Sequence, residues 1–143
     1  MSVPLYPFVK NDGGRASSQR PRQTNDCTVR ALALTTGADY DIAYDTLKNA
    51  GRKCSRGFHF RKWAKQQRFN GFAFEWMPFP AVKGERRMNP MEFCRKFPHG
   101  RYIARTAKHV FAIIDGVVHD SWEQRADRCI YGCWKVTAVT QAA

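Results

Sequence analysis

Along the chain, apolar and polar positions set out helices first and strands after, and the clearest pattern lies in residues 106–122. There two short β-branched, apolar runs flank Asp115-Gly116, a dipeptide that favours a two-residue hairpin turn because both of its positions accept positive φ. Such a turn fixes the register: Ile114 faces Val117, Phe111 faces Asp120, and His109 faces Trp122. Side chains alternate across a strand, so His109, Phe111, Ile113, Val118, Asp120 and Trp122 share one side of the ribbon. His109 and Asp120 are then diagonal neighbours, roughly 7–8 Å apart at the backbone and within reach of each other's side chains.

Upstream the apolar period lengthens to that of helices. Residues 23–37 read as a capped helix, with Asn25 or Asp26 accepting the free first-turn amides, Gly37 stopping it, and Val29, Leu32, Ala33 and Thr36 forming the core-facing stripe. Asp39 can cap a second helix over 40–50, carrying Tyr40, Ala43, Tyr44 and Leu47 on one face. A third is expected over 59–69, with Phe60, Trp63, Ala64 and Gln67 inward and Arg61, Lys62, Lys65 and Arg68 outward as a candidate anion-binding face. Asn70-Gly71 turns the chain into an aromatic strand over 72–77. Pro90 opens a short helix bearing Met91, Phe93, Cys94 and Phe97, and 101–105 is a strand leading into the hairpin. A last strand region covers 129–131 and 133–139. Helices followed by a mostly antiparallel sheet make the fold class α+β.

Residues 1–22 break the pattern. Three prolines, Gly13-Gly14 and Arg15, Arg20 and Arg22 among serines predict an extended basic N-terminal arm rather than a packed element, leaving 23–143 as a single domain. The length of 143 residues and a 43% hydrophobic share suit one core. No run approaches the ~20 apolar residues of a membrane span, and the first residues lack a signal-peptide pattern; a cytoplasmic protein with no membrane partner is expected. Five cysteines at irregular spacing suit a reducing compartment better than a disulfide framework. The formal net charge of +12 favours an anionic partner, nucleic acid or an acidic protein, against the plainer alternative of a solvated basic surface.

Cys27 falls in the first turn of the first helix, where unpaired amides and the helix dipole favour a thiolate; a small buried hydrophobe is the alternative. Cys54, in the basic loop 52–57, is a rival reactive thiol with no histidine placed for it. A thiolate needs a base, and the base needs an orienting group. The order Cys27, His109, Asp120 supplies all three. His119 points to the opposite ribbon face. Zinc is not expected: Cys129 and Cys133, at i and i+4 of a strand region, would stand ~13 Å apart, and no spacing completes a tetrahedral set. No cofactor motif is present.

At this point the chain resembles the papain-like cysteine peptidases, in which a helix N-terminus presents Cys to a sheet bearing His and Asn or Asp. Asp120-Ser121-Trp122 is similar to their Asn-Ser-Trp pattern with Asp for Asn. The resemblance extends to small phage and bacterial proteins through Asn25–Ala31, Tyr40 to Leu47 with Tyr44, and His109 to Trp122. It implies a papain-like α+β fold, a Cys27–His109–Asp120 triad, Trp122 shielding the His–Asp hydrogen bond, and an oxyanion hole to which Gln23 or Asn25 contributes. Gln23 stands closer to Cys27 than the oxyanion glutamine of the larger peptidases. The expected function is a thiol-dependent hydrolase cleaving peptide or isopeptide bonds of a protein or peptide substrate, with acyl transfer open to the same residues. A phage-encoded copy would act in the host cytoplasm or the virion. The alternative is a catalytically weak or inactive papain-like scaffold acting as a basic binding module for nucleic acid or an acidic host protein.

Overall fold

A computed structural model describes residues 6–53, 59–65, 67–125 and 127–139. Helices α1 (Cys27–Thr36), α2 (Tyr40–Asn49), α3 (Phe60–Ala64) and α4 (Pro90–Lys96) accompany strands β1 (Phe8–Lys10), β2 (Arg68–Phe69), β3 (Phe72–Pro78), β4 (Arg101–Thr106), β5 (His109–Ile114), β6 (Val117–Asp120) and β7 (Gly132–Ala138). The strands form one sheet in the order β1-β6-β5-β4-β7-β3-β2. Every neighbouring pair is antiparallel except β1 with β6. The architecture is α+β, as the pattern predicts.

Both faces of the sheet are covered. Ile103, Trp134 and Val136 pack with Val29, Leu32, Tyr40 and Leu47 of α1 and α2 on one side. Tyr102, Cys133, Phe111, Ile113 and Val118 pack with Phe93 of α4 and with Tyr6 on the other. The switch between successive residues, Tyr102 to Ile103 and Cys133 to Trp134, is the strand alternation itself. Helix α1 lies so deep that Thr28, Arg30 and Ala31 are buried along with the expected stripe of Val29, Leu32, Ala33 and Thr36.

The hairpin has the expected register, Ile114 opposite Val117 and Ile113 opposite Val118. Asp115 and Gly116 take φ of 49° and 73°, the paired positive values of a type I′ turn. A Cβ at Gly116 would also meet the Cys94 carbonyl oxygen at 3.3 Å, a tight approach that adds to the preference set by φ. Gly37 closes α1 in the left-handed conformation, and Asp39 caps α2 through the Asp41 amide.

Several expectations give way. The third helix is one and a half turns, not 59–69: Asn70 and Gly71, at φ 49° and 83°, make a tight turn whose flanking residues pair as strands, so Arg68 and Phe69 join β2 opposite Ala73 and Phe72. Arg61, Lys62 and Lys65 stay exposed, but Arg68 is on a strand. The last strand begins at Gly132; before it, the Ile130 and Tyr131 amides bond out to the Met88 and Arg105 carbonyls. Asp26 occupies the N-cap of α1 without a side-chain capping bond, because its carboxylate is used elsewhere. Cys54 lies outside the described residues.

The arm is extended but packed where it is described, from residue 6 to 22. Tyr6 is buried, β1 runs alongside β6, and the Asn11 amide bonds the Asp120 carbonyl at 2.8 Å. Arg20 meets Asp41 at 2.7 Å and Asp45 at 2.9 Å and stacks over the Tyr44 ring at 4.0 Å. Arg20 therefore clamps the segment to α2, while Arg15 reaches Asp26 at the start of α1 at 3.0 Å. Composition alone could not show this, since the partners lie on another element.

Candidate active site

At one end of the sheet, β5 begins at His109 and β6 ends at Asp120, and the N-terminus of α1 points Cys27 at them. His109 Nε2 lies 2.7 Å from Asp120 Oδ2. Cys27 lines the same cavity wall as His109 and Val110, near enough for both to favour its thiolate, and with Nε2 engaged by Asp120, Nδ1 is the nitrogen available to it. The three residues that the sequence singled out thus form a connected row.

The imidazole is held on its flat sides too. Its ring stacks on Phe111 at 5.8 Å between centroids, with 20° between planes, and sits 5.3 Å from the Trp122 ring. Phe111 and Trp122 share the ribbon face of His109, as the alternation requires. Trp122 is 53% exposed while the His109 side chain is 13% exposed, so the indole meets water on one side and neighbours a largely covered imidazole on the other.

The electrostatics follow from these contacts. Burial works against a charged imidazole, but the Asp120 hydrogen bond first, then the Cys27 hydrogen bond and the charges of both, push the His109 pKa up to about 9. Burial likewise opposes a Cys27 thiolate. The His109 hydrogen bond, the Val110 backbone and the positive charges of His109 and Arg30 outweigh it and hold the thiol below its usual value. The pair therefore favours thiolate beside imidazolium. Burial alone raises the other described core thiols, Cys94 to about 11 and Cys133 to about 12, which makes them inert.

Behind the row is a buried ionic network that periodicity did not expose. Arg30, on the inner face of α1, reaches Asp120 Oδ1 at 2.6 Å, Ser121 Oγ at 2.8 Å and Asp26 Oδ1 at 3.1 Å. Asp26, 1% exposed, also accepts from the Tyr40 hydroxyl at 2.7 Å and from Arg15 at 3.0 Å. Burial and the neighbouring Asp26 keep the Tyr40 phenol protonated and donating. Burying carboxylates without partners is prohibitive; here each has an arginine. An arginine one turn after a cysteine reads as a surface residue of the helix, so its only signal was its place within Asn25–Ala31.

Of the two oxyanion candidates, Asn25 lines the cavity in front of Cys27, at a φ of 50°. Gln23 donates its amide to the Thr24 carbonyl at 3.1 Å and is not on the cavity wall. The cavity itself has a volume of about 1050 Å³ and is walled by Thr24 to Thr28, α3, the β4–β5 turn and the loops after β6 and before β7. His119 stays away from the row with its Nδ1 buried and unbonded, and burial lowers its pKa. Among the described residues, no group of three or more histidine, cysteine, aspartate or glutamate side chains is placed to hold a metal ion. No described helix is long and apolar enough to cross a membrane. In comparisons with known proteins, the chain matches no family model, no curated protein and no solved structure.

Proposed function

We propose that this chain is a thiol-dependent hydrolase, a cysteine peptidase of papain-like fold that cleaves peptide or isopeptide bonds through Cys27, His109 and Asp120. The observation that carries the reading is the His109 ring bonded to Asp120 at 2.7 Å through Nε2, with Cys27 on the same cavity wall and its thiol pKa lowered by the imidazole. A structural histidine needs one partner; a base that must exchange a proton with a nucleophile while keeping its orientation needs both. The Cys-bearing helix start, the Asp-Ser-Trp sequence and the indole beside the imidazole support the papain-like assignment.

The chemistry is then direct. The Cys27 thiolate attacks the acyl carbon, and the oxyanion forms near the first-turn amides of α1 and the Asn25 side chain. Imidazolium donates its proton to the leaving nitrogen as the carbon–nitrogen bond breaks, leaving a thioester on Cys27. Neutral His109 next takes a proton from water, whose oxygen attacks the thioester; the carboxylic product leaves and the thiolate returns. An amine in place of water gives acyl transfer with the same balance. Asp120 keeps the ring aligned throughout.

The test is labelling by an electrophilic peptide probe. Cys27→Ala abolishes it and His109→Ala reduces it strongly; equal labelling of all three proteins removes the proposal. A second reading, favoured by the net charge of +12, is a papain-like scaffold that binds nucleic acid or an acidic protein without turnover. Steeply salt-dependent binding that Cys27→Ala leaves intact, together with absent labelling, would favour it.

A further inference from the structure

The wall of the cavity in front of Cys27 is strongly one-signed. Arg61 of α3, Arg105 at the end of β4, Lys108 in the β4–β5 turn and Arg128 before β7 all line it and are all exposed. Sheet topology brings them together: Arg105 pairs with Val110 and with Gly132, which sets the starts of β5 and β7 on either side of the end of β4, at the Cys27 end of the sheet. Among the described residues none of the four makes an ion pair; Arg61 only stacks on the Trp76 ring at 5.0 Å. The one carboxylate on the wall, Asp26, is already held by Arg15, Arg30 and Tyr40. Four cations with no ion pair among the described residues line the cavity that holds Cys27, an arrangement that repels a basic substrate and concentrates an acidic one.

Resting on the reading of Cys27 as a nucleophile, we propose that the cavity selects acidic peptide segments, with glutamate or aspartate side chains flanking the bond that Cys27 attacks. A polynucleotide would satisfy the same charges but offers no acyl carbon to the thiolate. The cations surround the nucleophile rather than forming a separate track, so the charge and the chemistry point to one ligand. Lys108 adjoins His109 directly and holds a left-handed φ of 58° in its turn, which fixes its place at the cavity edge.

The experiment measures inactivation of the full chain by three tripeptide vinyl sulfones with glutamate, glutamine or lysine before the electrophile. In each case the Cys27 sulfur adds to the vinyl carbon and the adjacent carbon takes up a proton. The glutamate probe is expected to react about tenfold faster than the lysine probe at low salt, the sum of several exposed charge contacts. The ratio falls toward one at about 0.5 M salt, where screening shortens the range of exposed charges, and in the Arg105→Gln/Arg128→Gln variant. Equal rates with all three probes overturn the proposal, as does equal protection by a single-stranded oligonucleotide and an acidic peptide. Iodoacetamide, which is uncharged, separates the two failures. Fast alkylation of Cys27 without charge preference rejects the substrate class alone; slow alkylation rejects the nucleophile and the substrate class together.

Discussion

The guanidinium of Arg30 stands 2.6 Å from Asp120 Oδ1, on the opposite carboxylate oxygen from the one that meets His109. One buried arginine thereby ties the helix that carries the nucleophile to the strand that carries the orienting acid. It explains how an aspartate 2% exposed is kept in place beside an imidazole. Replacing it with Met leaves Asp26 to Arg15 and Tyr40 and leaves Asp120 to His109, and removal of one partner from a buried ionic group costs up to about 3–5 kcal/mol. Urea unfolding should show that loss for Arg30→Met. Arg30→Lys, which cannot span both carboxylates, should lie between. A midpoint unchanged in Arg30→Met would contradict the assignment.

Asp120→Asn keeps a hydrogen-bonding group facing His109 but removes the charge. Asp120 supplies the largest of the influences that raise the imidazole to about 9 from 6.5. The variant should therefore titrate well below the wild type, and the fall in its rate as pH rises and the imidazolium is lost should begin at a lower pH. NMR titration of the imidazole checks this; an unshifted midpoint would show that Asp120 does not govern the ring.

Linkage between protons and folding gives a sharper signature. His109 has a folded pKa raised from 6.5 to about 9, so its stabilisation is complete below pH 6.5 and lost as pH rises through about 9. Cys27 is held below its ordinary 9.0, so its stabilisation is complete above pH 9 and lost as pH falls through its folded value. Above that folded value and within 6.5 to 9, native and unfolded chains each hold one proton on these two groups, and the slopes cancel. Wild-type stability is thus flat there with respect to this pair. Cys27→Ala leaves the His109 slope alone, and its urea midpoint should fall as pH rises through the window. A flat midpoint in that variant would argue against an imidazolium in the native state.

Trp122→Ala opens the His109–Asp120 hydrogen bond to water. Because the indole is 53% exposed, folding stability should change by no more than about 1 kcal/mol, as for a surface substitution. Acyl transfer should slow by about tenfold, short of the ~10²–10⁴ that general acid–base catalysis contributes as a whole. Paired unfolding and labelling measurements separate the two effects. A large stability loss would make Trp122 a core residue instead.

Tyr6 joins the N-terminal arm to the loop that follows Trp122: its hydroxyl accepts from the Gln124 amide at 2.7 Å and donates to the Gln124 carbonyl at 3.1 Å. Tyr6→Phe leaves both backbone groups buried without a partner, at about 1–3 kcal/mol. Urea unfolding should register that loss, and an unaffected variant would show that the Tyr6–Gln124 pair does not help hold the arm.

What the chain revealed in advance follows local rules. Asp115-Gly116 dictated the hairpin, and the hairpin dictated that His109, Asp120 and Trp122 meet, because register and alternation are short-range. Gly37 and Asp39 bounded their helices for similar reasons. What escaped depends on tertiary partners. Arg30 reads as a surface residue until α1 is seen to be buried on nearly every side, and Asp26 reads as a helix cap until Arg15, Arg30 and Tyr40 compete for its carboxylate. The arm reads as unpacked because the partners of Arg20, Asp41 and Asp45, lie on α2 and the partner of Arg15, Asp26, lies at the start of α1. The third helix was overextended because the turn at Asn70-Gly71 recruits the residues before it.

Whether Cys27 is a thiolate maintained by His109 is read from its alkylation by iodoacetamide at pH 6, followed residue by residue by mass spectrometry. Cys27 should react more than about tenfold faster than an ordinary thiol, whose thiolate is scarce at that pH, and His109→Ala should return it to the ordinary rate. A Cys27 that reacts like an ordinary thiol at pH 6, or one indifferent to His109→Ala, would contradict the account.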